Sequence, residues 1–406
     1  MHAFTPGQIG RLEIKNRFVR AATSETMATD SGTVTPALIE LHQTLAANGV
    51  GLSLLGHAFV HPRGQSLPNQ TGIHDDAMIP GLAQLTDAVH NAGGRIFAQL
   101  AHAGNQGGMP GLAQLAPSSV ANALTGSVAE PAGDDEIEEV IEAFGTAATR
   151  TSDAGFDGIH IHAANGYLIS SFSSPHSNTR TDRWGGDAEG RSLLLTRVYQ
   201  SIRQAVGPDF PVTAKVGMVD QVDNGLLLAE SVERVRVLAG LGLDGVEVSV
   251  GLMASGADSC QKYVAVDGRR ALADHLYHRM FSPPGSEAYF EPYAQAIRAA
   301  VPDLKLLLVG GIRTTETVER VLAEGSCDFV CLARPLIREP DVVAQIEAGR
   351  SGRFDCTSCN LCLENEGTFR LQCWRTPRVR LLHAAAAHIR RRVKSQAYQP
   401  PKSDLT

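Results

Sequence analysis

The sequence predicts an α/β fold built from parallel βαβ units, and three observations carry that expectation. Eight short apolar runs alternate with amphipathic helical patterns along the chain. The length of 406 residues suits either two domains or one (β/α) barrel of roughly 250 residues with insertions. Polar side chains and glycines gather just after several of the apolar runs, where parallel folds carry their chemistry.

The strand-like runs are Arg17–Ala22, Gly51–Val60, Arg95–Leu100, Asp157–His162, Pro211–Gly217, Asp244–Val248, Lys305–Val309 and Asp328–Leu332. Helical patterns fit at Pro36–Ala47, Ile79–Asn91, Ile137–Ala154, Gly190–Val206, Ala229–Ala239, Tyr289–Ala300 and Thr315–Glu324. This alternation fits an eight-stranded barrel, and a doubly wound open sheet shares the same periodicity. Two connections are long. Ala101–Glu136 is rich in Gly, Pro and Ser, and Val250–Ser286 carries Gly, Asp and Pro283-Pro284. Both leave carboxyl ends of strands, so they read as substrate-selecting walls or as surface decoration.

Apolar residues make up 43% of the chain and charged residues 19%, the balance of a globular protein with a sizeable core. A net charge of −7 gives no electrostatic reason to expect nucleic acid or anionic lipid as partner. The one basic run, Arg390-Arg391-Arg392-Val393-Lys394, reads as a solvated helix end. No secretory h-region opens the chain and no run approaches a membrane span, so a cytoplasmic location and no membrane partner are expected. Seven Cys in a chain of this length do not suggest a disulfide scaffold. A barrel with a C-terminal extension can form a homo-oligomer, although no heptad or other interface signal is present.

The most informative stretch runs from Gly158 to Arg191. It begins as a strand and breaks at Asn165-Gly166 into a long polar loop. Strand side chains alternate faces, so Ile159 and Ile161 share one face while His160 and His162 share the other. His162 thus ends the strand facing inward, with Asn165 and Tyr167 within five residues. Three hydrogen-bonding side chains converge there; a capped strand end with an ordinary Asn-Gly turn is the plain alternative.

This stretch, HAANGYLISSFSSPHSNTRTDRWGG, resembles the signature of the Old Yellow Enzyme family of FMN-dependent ene-reductases and NADH:flavin oxidoreductases. Trp184 stands where that family usually has Tyr. The resemblance runs with gaps from about Leu12 to Pro340 and implies a TIM (β/α)8 barrel. It also implies hydride transfer from NADH or NADPH, through FMN, to an alkene conjugated to a carbonyl or nitro group. His162 and Asn165 would bind the substrate carbonyl oxygen, and Tyr167 would protonate the α-carbon.

The resemblance extends to residues around a flavin. Ala21, Ala22, Thr23 and Ser24 end the first strand beside the ring, and Gly56 would let the ring approach backbone. Gln99 matches the glutamine that pairs with the pyrimidine edge, as an amide that both donates and accepts can. Lys215, buried late in the fifth run, asks for an anion, which the reduced flavin would supply. Gly310 and Gly311, with Ala333 and Arg334 on the next loop, would cradle the phosphate.

Residues 1–350 therefore read as the flavin-binding barrel and 351–406 as a Cys-rich extension with a helix. Cys356, Cys359 and Cys362 form a C-x-x-C-x-x-C run followed by Cys373, a donor set suited to an iron–sulfur cluster or a four-cysteine zinc site. The run resembles the cluster-binding segment of trimethylamine dehydrogenase and 2,4-dienoyl-CoA reductase. The residues that follow it are too few for a Rossmann pair, so such a cluster would exchange electrons with a partner protein. Three readings compete: a direct ene-reductase, a partner-driven iron–sulfur flavoprotein, and a non-catalytic flavin- or metal-binding module.

Overall fold

The computed structural model describes residues 1–109, 111–253, 287–358, 361–364 and 369–375. A short antiparallel hairpin, β1 (Gly7–Ile9) and β2 (Leu12–Ile14), precedes the main sheet. The main sheet contains β3 (Phe18–Arg20), β4 (Leu52–Leu54), β5 (Ala58–Phe59), β6 (Arg95–Ala101), β7 (Gly158–Ala163) and β8 (Val212–Gly217). It continues through β9 (Gly245–Ser249), β10 (Lys305–Val309) and β11 (Phe329–Leu332). Every pairing within it is parallel. The β4–β6 pairing closes eight of its nine strands into a ring, and β5 continues the line of β4 along β6. The fold is a TIM barrel, as the sequence resemblance implies.

The strands are buried on both faces, which is why each reads as a near-continuous apolar run. Outward residues such as Ile159, Ile161, Val246 and Val248 join the large cluster under the helices. Those helices include α1 (Pro36–Ala47), α2 (Ile79–Asn91), α3 (Asp134–Asp153), α4 (Leu168–Ser173), α5 (Ala188–Val206) and α6 (Leu228–Gly240). Further on come α7 (Glu291–Ala300), α8 (Thr315–Ala323), α9 (Arg334–Arg338) and α10 (Val342–Glu347).

A second cluster fills the inside. Ile9 and Ile14 of the hairpin pack with Val19, Leu52, Phe97, Leu307 and Phe329, plugging the end where strands begin. An Asp leads three of the strands and ties each to a neighbour. Asp157 accepts from Ile96 N–H at 2.9 Å, Asp244 from Val212 N–H at 2.8 Å, and Asp328 from Leu306 N–H at 2.9 Å. Each carboxylate also meets an arginine, Arg95, Arg203 or Arg298 respectively, so the register is held by charge at one end. The other end is left for loops. Of the long connections, 101–136 is largely described, whereas residues 254–286 lie outside the described residues.

Candidate active site

The inner face changes from apolar to polar toward the carboxyl ends of the strands. Register places His162 beside Lys215 and Lys215 beside Glu247 on successive strands, with His160 and Thr213 paired one step below. Lys215 Nζ donates to Glu247 Oε1 at 2.7 Å, and the other carboxylate oxygen lies 3.0 Å from His160 Nε2. His160 Nδ1 meets Thr213 Oγ1 at 2.8 Å. Burial pushes Glu247 toward neutrality, but Lys215 and His160 outweigh it and hold the carboxyl at about 2. Lys215 thus has a protein counter-ion. The expectation that the reduced flavin alone would supply its anion is corrected by Glu247, although Lys215 still lines the cavity above.

His162, Asn165 and Tyr167 come together on one wall of a cavity of about 350 Å³. Asn165 and Gly166 take consecutive left-handed conformations, with φ of 60° and 79°, the turn that lifts the chain off the strand. Asn165 is held by Val250 O, by Gln106 Nε2 at 2.6 Å on its carbonyl, and by Ser249 Oγ at 3.3 Å. The rings of His162 and Tyr167 lie 4.6 Å apart. Burial, reinforced by Lys215, depresses His162 well below the usual histidine range, so its imidazole is neutral at pH 7. Its Nδ1 is buried without a hydrogen-bond partner. A third ring, His57, completes the group, with Nε2 at 3.3 Å from the Tyr167 hydroxyl. Sequence reasoning misses His57, because no motif marks a lone His in an apolar run.

Ala22, Thr23 and Ser24 line the opposite side with Gln99. Thr23 accepts from Arg20, whose guanidinium pairs with Glu25 at 2.8 Å. Glu25 also accepts from Gly56 N–H at 2.9 Å and faces His42 at 3.4 Å. Two expected positions do not reach the cavity wall. Ala21 is spent inside the apolar interior. Gly56 is packed against Glu25: a Cβ there would meet Glu25 Oε2 at 1.9 Å and Thr23 O at 2.2 Å.

At the far end lie Gly310, Gly311, Ala333 and Arg334, joined by Arg313. Gly310, with φ of 123°, has no room for a side chain, since a Cβ would meet the Tyr289 ring at 2.7 Å. Ala333 has φ of −106°, a backbone that does not call for glycine. Arg313 and Arg334 both line this end of the cavity, and burial followed by the neighbouring Arg334 lowers Arg313. Ser358 and Leu363 of the extension close this end. Cys356, Cys362 and Cys373 line a small adjoining pocket that shares Arg334 and Ser358 with the main cavity. Cys359 lies outside the described residues. The extension is tied to the first loop, as Leu371 N–H donates to Glu25 O and Thr26 Oγ1 to Phe369 O.

These residues fit FMN. Ser24 Oγ, Gln99 Nε2 and His162 Nδ1 are buried and unpartnered around one cavity, a costly arrangement unless a polar ligand meets them. The cavity is within the size range of small-molecule sites, and its arginine end suits a phosphate.

Comparison with known proteins agrees with this geometry. Residues 2–352 match the NADH:flavin oxidoreductase / NADH oxidase family. An NADH oxidase of Thermoanaerobacter brockii is 32% identical over 92% of this chain and 56% of its own length. A multifunctional alkene reductase/demethylase of Caballeronia cordobensis is 30% identical over 92% of this chain and 52% of its own. The chain therefore spans little more than half of those two relatives. The solved structure of an old yellow enzyme homologue from Zymomonas mobilis, 25% identical, superposes with a TM-score of 0.71 over 91% of this chain and all of that one.

Proposed function

The chain belongs to the NADH:flavin oxidoreductase / NADH oxidase family, and we propose that it is an FMN-dependent reductase of activated alkenes. The observation that carries this reading is the convergence of His162, Asn165 and Tyr167 on the wall of the cavity that the flavin-binding residues also line. FMN, when bound, would supply the hydride chemistry that links NADH or NADPH to the β-carbon of an enone, enoate or nitroalkene.

The chain's own groups do the rest. His162 and the Asn165 amide hold the substrate oxygen, and neutral donors at that place polarise the alkene and stabilise developing enolate charge. Tyr167 gives its hydroxyl proton to the α-carbon. Gln99 and Ser24 would hold the polar edge of the flavin and Arg313 and Arg334 its phosphate, while Lys215, with Glu247 as its counter-ion, lines the same cavity. We assign residues 1–350 to the catalytic barrel and 351–406 to a Cys-rich extension, whose described residues include Ser358 and Leu363 on the cavity wall. A nicotinamide co-substrate supports a cytoplasmic location. Among the described residues no helix is long and apolar enough to cross a membrane.

A second reading starts from three cysteines that line a single pocket beside the flavin cavity, although the described residues alone bring no three ligating groups together closely enough to hold a metal ion. With Cys359 they would hold an iron–sulfur cluster or zinc, and a cluster would exchange electrons with a partner protein. The absorption spectrum of anaerobically purified protein decides between them. A flavin spectrum that NAD(P)H bleaches, and that an enone restores, supports the direct reductase. Broad iron–sulfur absorption with little bleaching supports the partner-driven enzyme. Failure to bind FMN after reconstitution refutes both.

A further inference from the structure

We propose that His57 is a positioning residue for Tyr167, donating through Nε2–H to the phenol oxygen and stabilising the phenolate that remains once Tyr167 has given up its proton. This rests on the reading of Tyr167 as the acid in alkene reduction.

The direction of the hydrogen bond follows from the network behind the ring. Ser66 N–H and Ser66 Oγ both lie against Gln70 Oε1, at 2.7 and 3.0 Å, and Gln70 Nε2 donates to His57 O at 2.8 Å. Turning the Gln70 amide over would set its NH2 against a backbone N–H, so its orientation is settled. The single proton of the Ser66 hydroxyl is then committed to Gln70. At its 3.1 Å contact with His57 Nε2, Ser66 can only accept, which places a hydrogen on that nitrogen. The same N–H faces the Tyr167 oxygen at 3.3 Å. Ser66 and Tyr167 therefore share this one hydrogen, and the phenol oxygen is an acceptor at its contact. A bare Nε2 would do the opposite, taking the phenol hydrogen and opposing its donation to substrate.

The ring is held where this matters. His57 sits between the end of β4 and β5, and the pairing of Ala58 with Leu100 fixes its position. It is 6% exposed and lines the cavity. Burial, only partly offset by Glu25, lowers it to about 4, so it is a neutral donor at pH 7. The groups that face it are Glu25, His162 and Tyr167, with Lys215 beyond His162 and Arg20 and His42 beyond Glu25. In the step itself the Tyr167 O–H bond breaks and a C–H bond forms at the α-carbon. The phenolate is held by His57 N–H until water returns a proton.

The test uses FMN-loaded protein reduced without oxygen and mixed with cyclohexenone, with NADH-driven bleaching followed separately. His57→Phe is expected to slow reoxidation by about thirty-fold, the range of a hydrogen bond to a charged group, and to slow bleaching far less. The alkaline limb of the reoxidation rate moves to higher pH in this variant. His57→Gln, whose amide can donate, recovers much of the rate. NMR of isotope-labelled histidine shows Nε2 of His57 protonated at pH 7, and Tyr167→Phe shifts that resonance. Equal slowing of both half-reactions, an unmoved alkaline limb, or a bare Nε2 would overturn the proposal. Failure of the unmodified protein to reduce the enone refutes only the alkene reading; the NMR result still decides whether His57 donates to Tyr167.

Discussion

Replacing Lys215 by Met tests how the polar belt inside the barrel is held together. Glu247 is fully buried, and Lys215 Nζ, 2.7 Å away, is its one cationic hydrogen-bond partner among the described residues. Holding the carboxyl at about 2, against an ordinary value of 4.5, corresponds to roughly 3 kcal/mol of native stability at neutral pH. Breaking a buried ion pair from one side costs about 3–5 kcal/mol, which agrees. A loss of that size lowers the melting temperature by roughly 4–6 °C in a chain of 406 residues. The pH dependence has a definite sign. In the unmodified protein this contribution is complete above 4.5 and disappears as pH falls from 4.5 to about 2. Without Lys215, burial raises the Glu247 carboxyl above its unfolded value. The variant then gains stability as pH falls from 7 through that raised value. Thermal unfolding of the FMN-free protein between pH 4 and 8 measures both slopes. Adding Glu247→Leu should return most of the loss, because no buried charge is left unpaired. A loss below about 1 kcal/mol, or a double variant weaker than the single one, would refute the argument that Glu247 is the anion Lys215 serves.

Four further outcomes are expected. Gln99→Leu weakens FMN binding yet stabilises the FMN-free protein by about 1–3 kcal/mol, since it removes an unsatisfied buried amide; calorimetry with and without FMN reads both signs. Gly56→Ala drives a methyl into Glu25 and Thr23 and costs about 1–3 kcal/mol in urea unfolding. Tyr167→Phe slows reoxidation by an enone about a hundred-fold or more while bleaching by NAD(P)H is retained, which stopped-flow absorbance measures. Cys356→Ser lowers bound iron or zinc, read by elemental analysis; unchanged content would remove the four-cysteine site.

The strands are legible in the sequence because they are buried on both faces and separated by amphipathic helices. Each expected run overlaps an observed strand of the ring. The hairpin that plugs the barrel is not legible, since strands of three residues carry too little periodicity to register. The site is legible where a local motif concentrates it, as at His162, Asn165 and Tyr167. It is illegible where chemistry depends on register between distant strands. Glu247 lies 32 residues beyond Lys215 and looks like one stray charge in an apolar run; only the alignment of β8 with β9 makes it a counter-ion. Gly56 does mark a place with no room for a side chain, and the group that fills it is the Glu25 carboxylate.

The polar groups of the cavity fall into two kinds. His160, Thr213, Lys215 and Glu247 satisfy one another, and so do Arg20, Thr23 and Glu25; these sets would be content in a protein that bound nothing. Ser24, Gln99 and His162 each keep a buried polar atom with no partner. Seven other described residues also keep such an atom, so it is the gathering of these three around one cavity that marks a ligand site. In sequence the two kinds look alike, because an inward polar residue at a strand end is equally consistent with either. Only the neighbouring strand decides, and here it leaves the amide, the hydroxyl and the imidazole facing the same space.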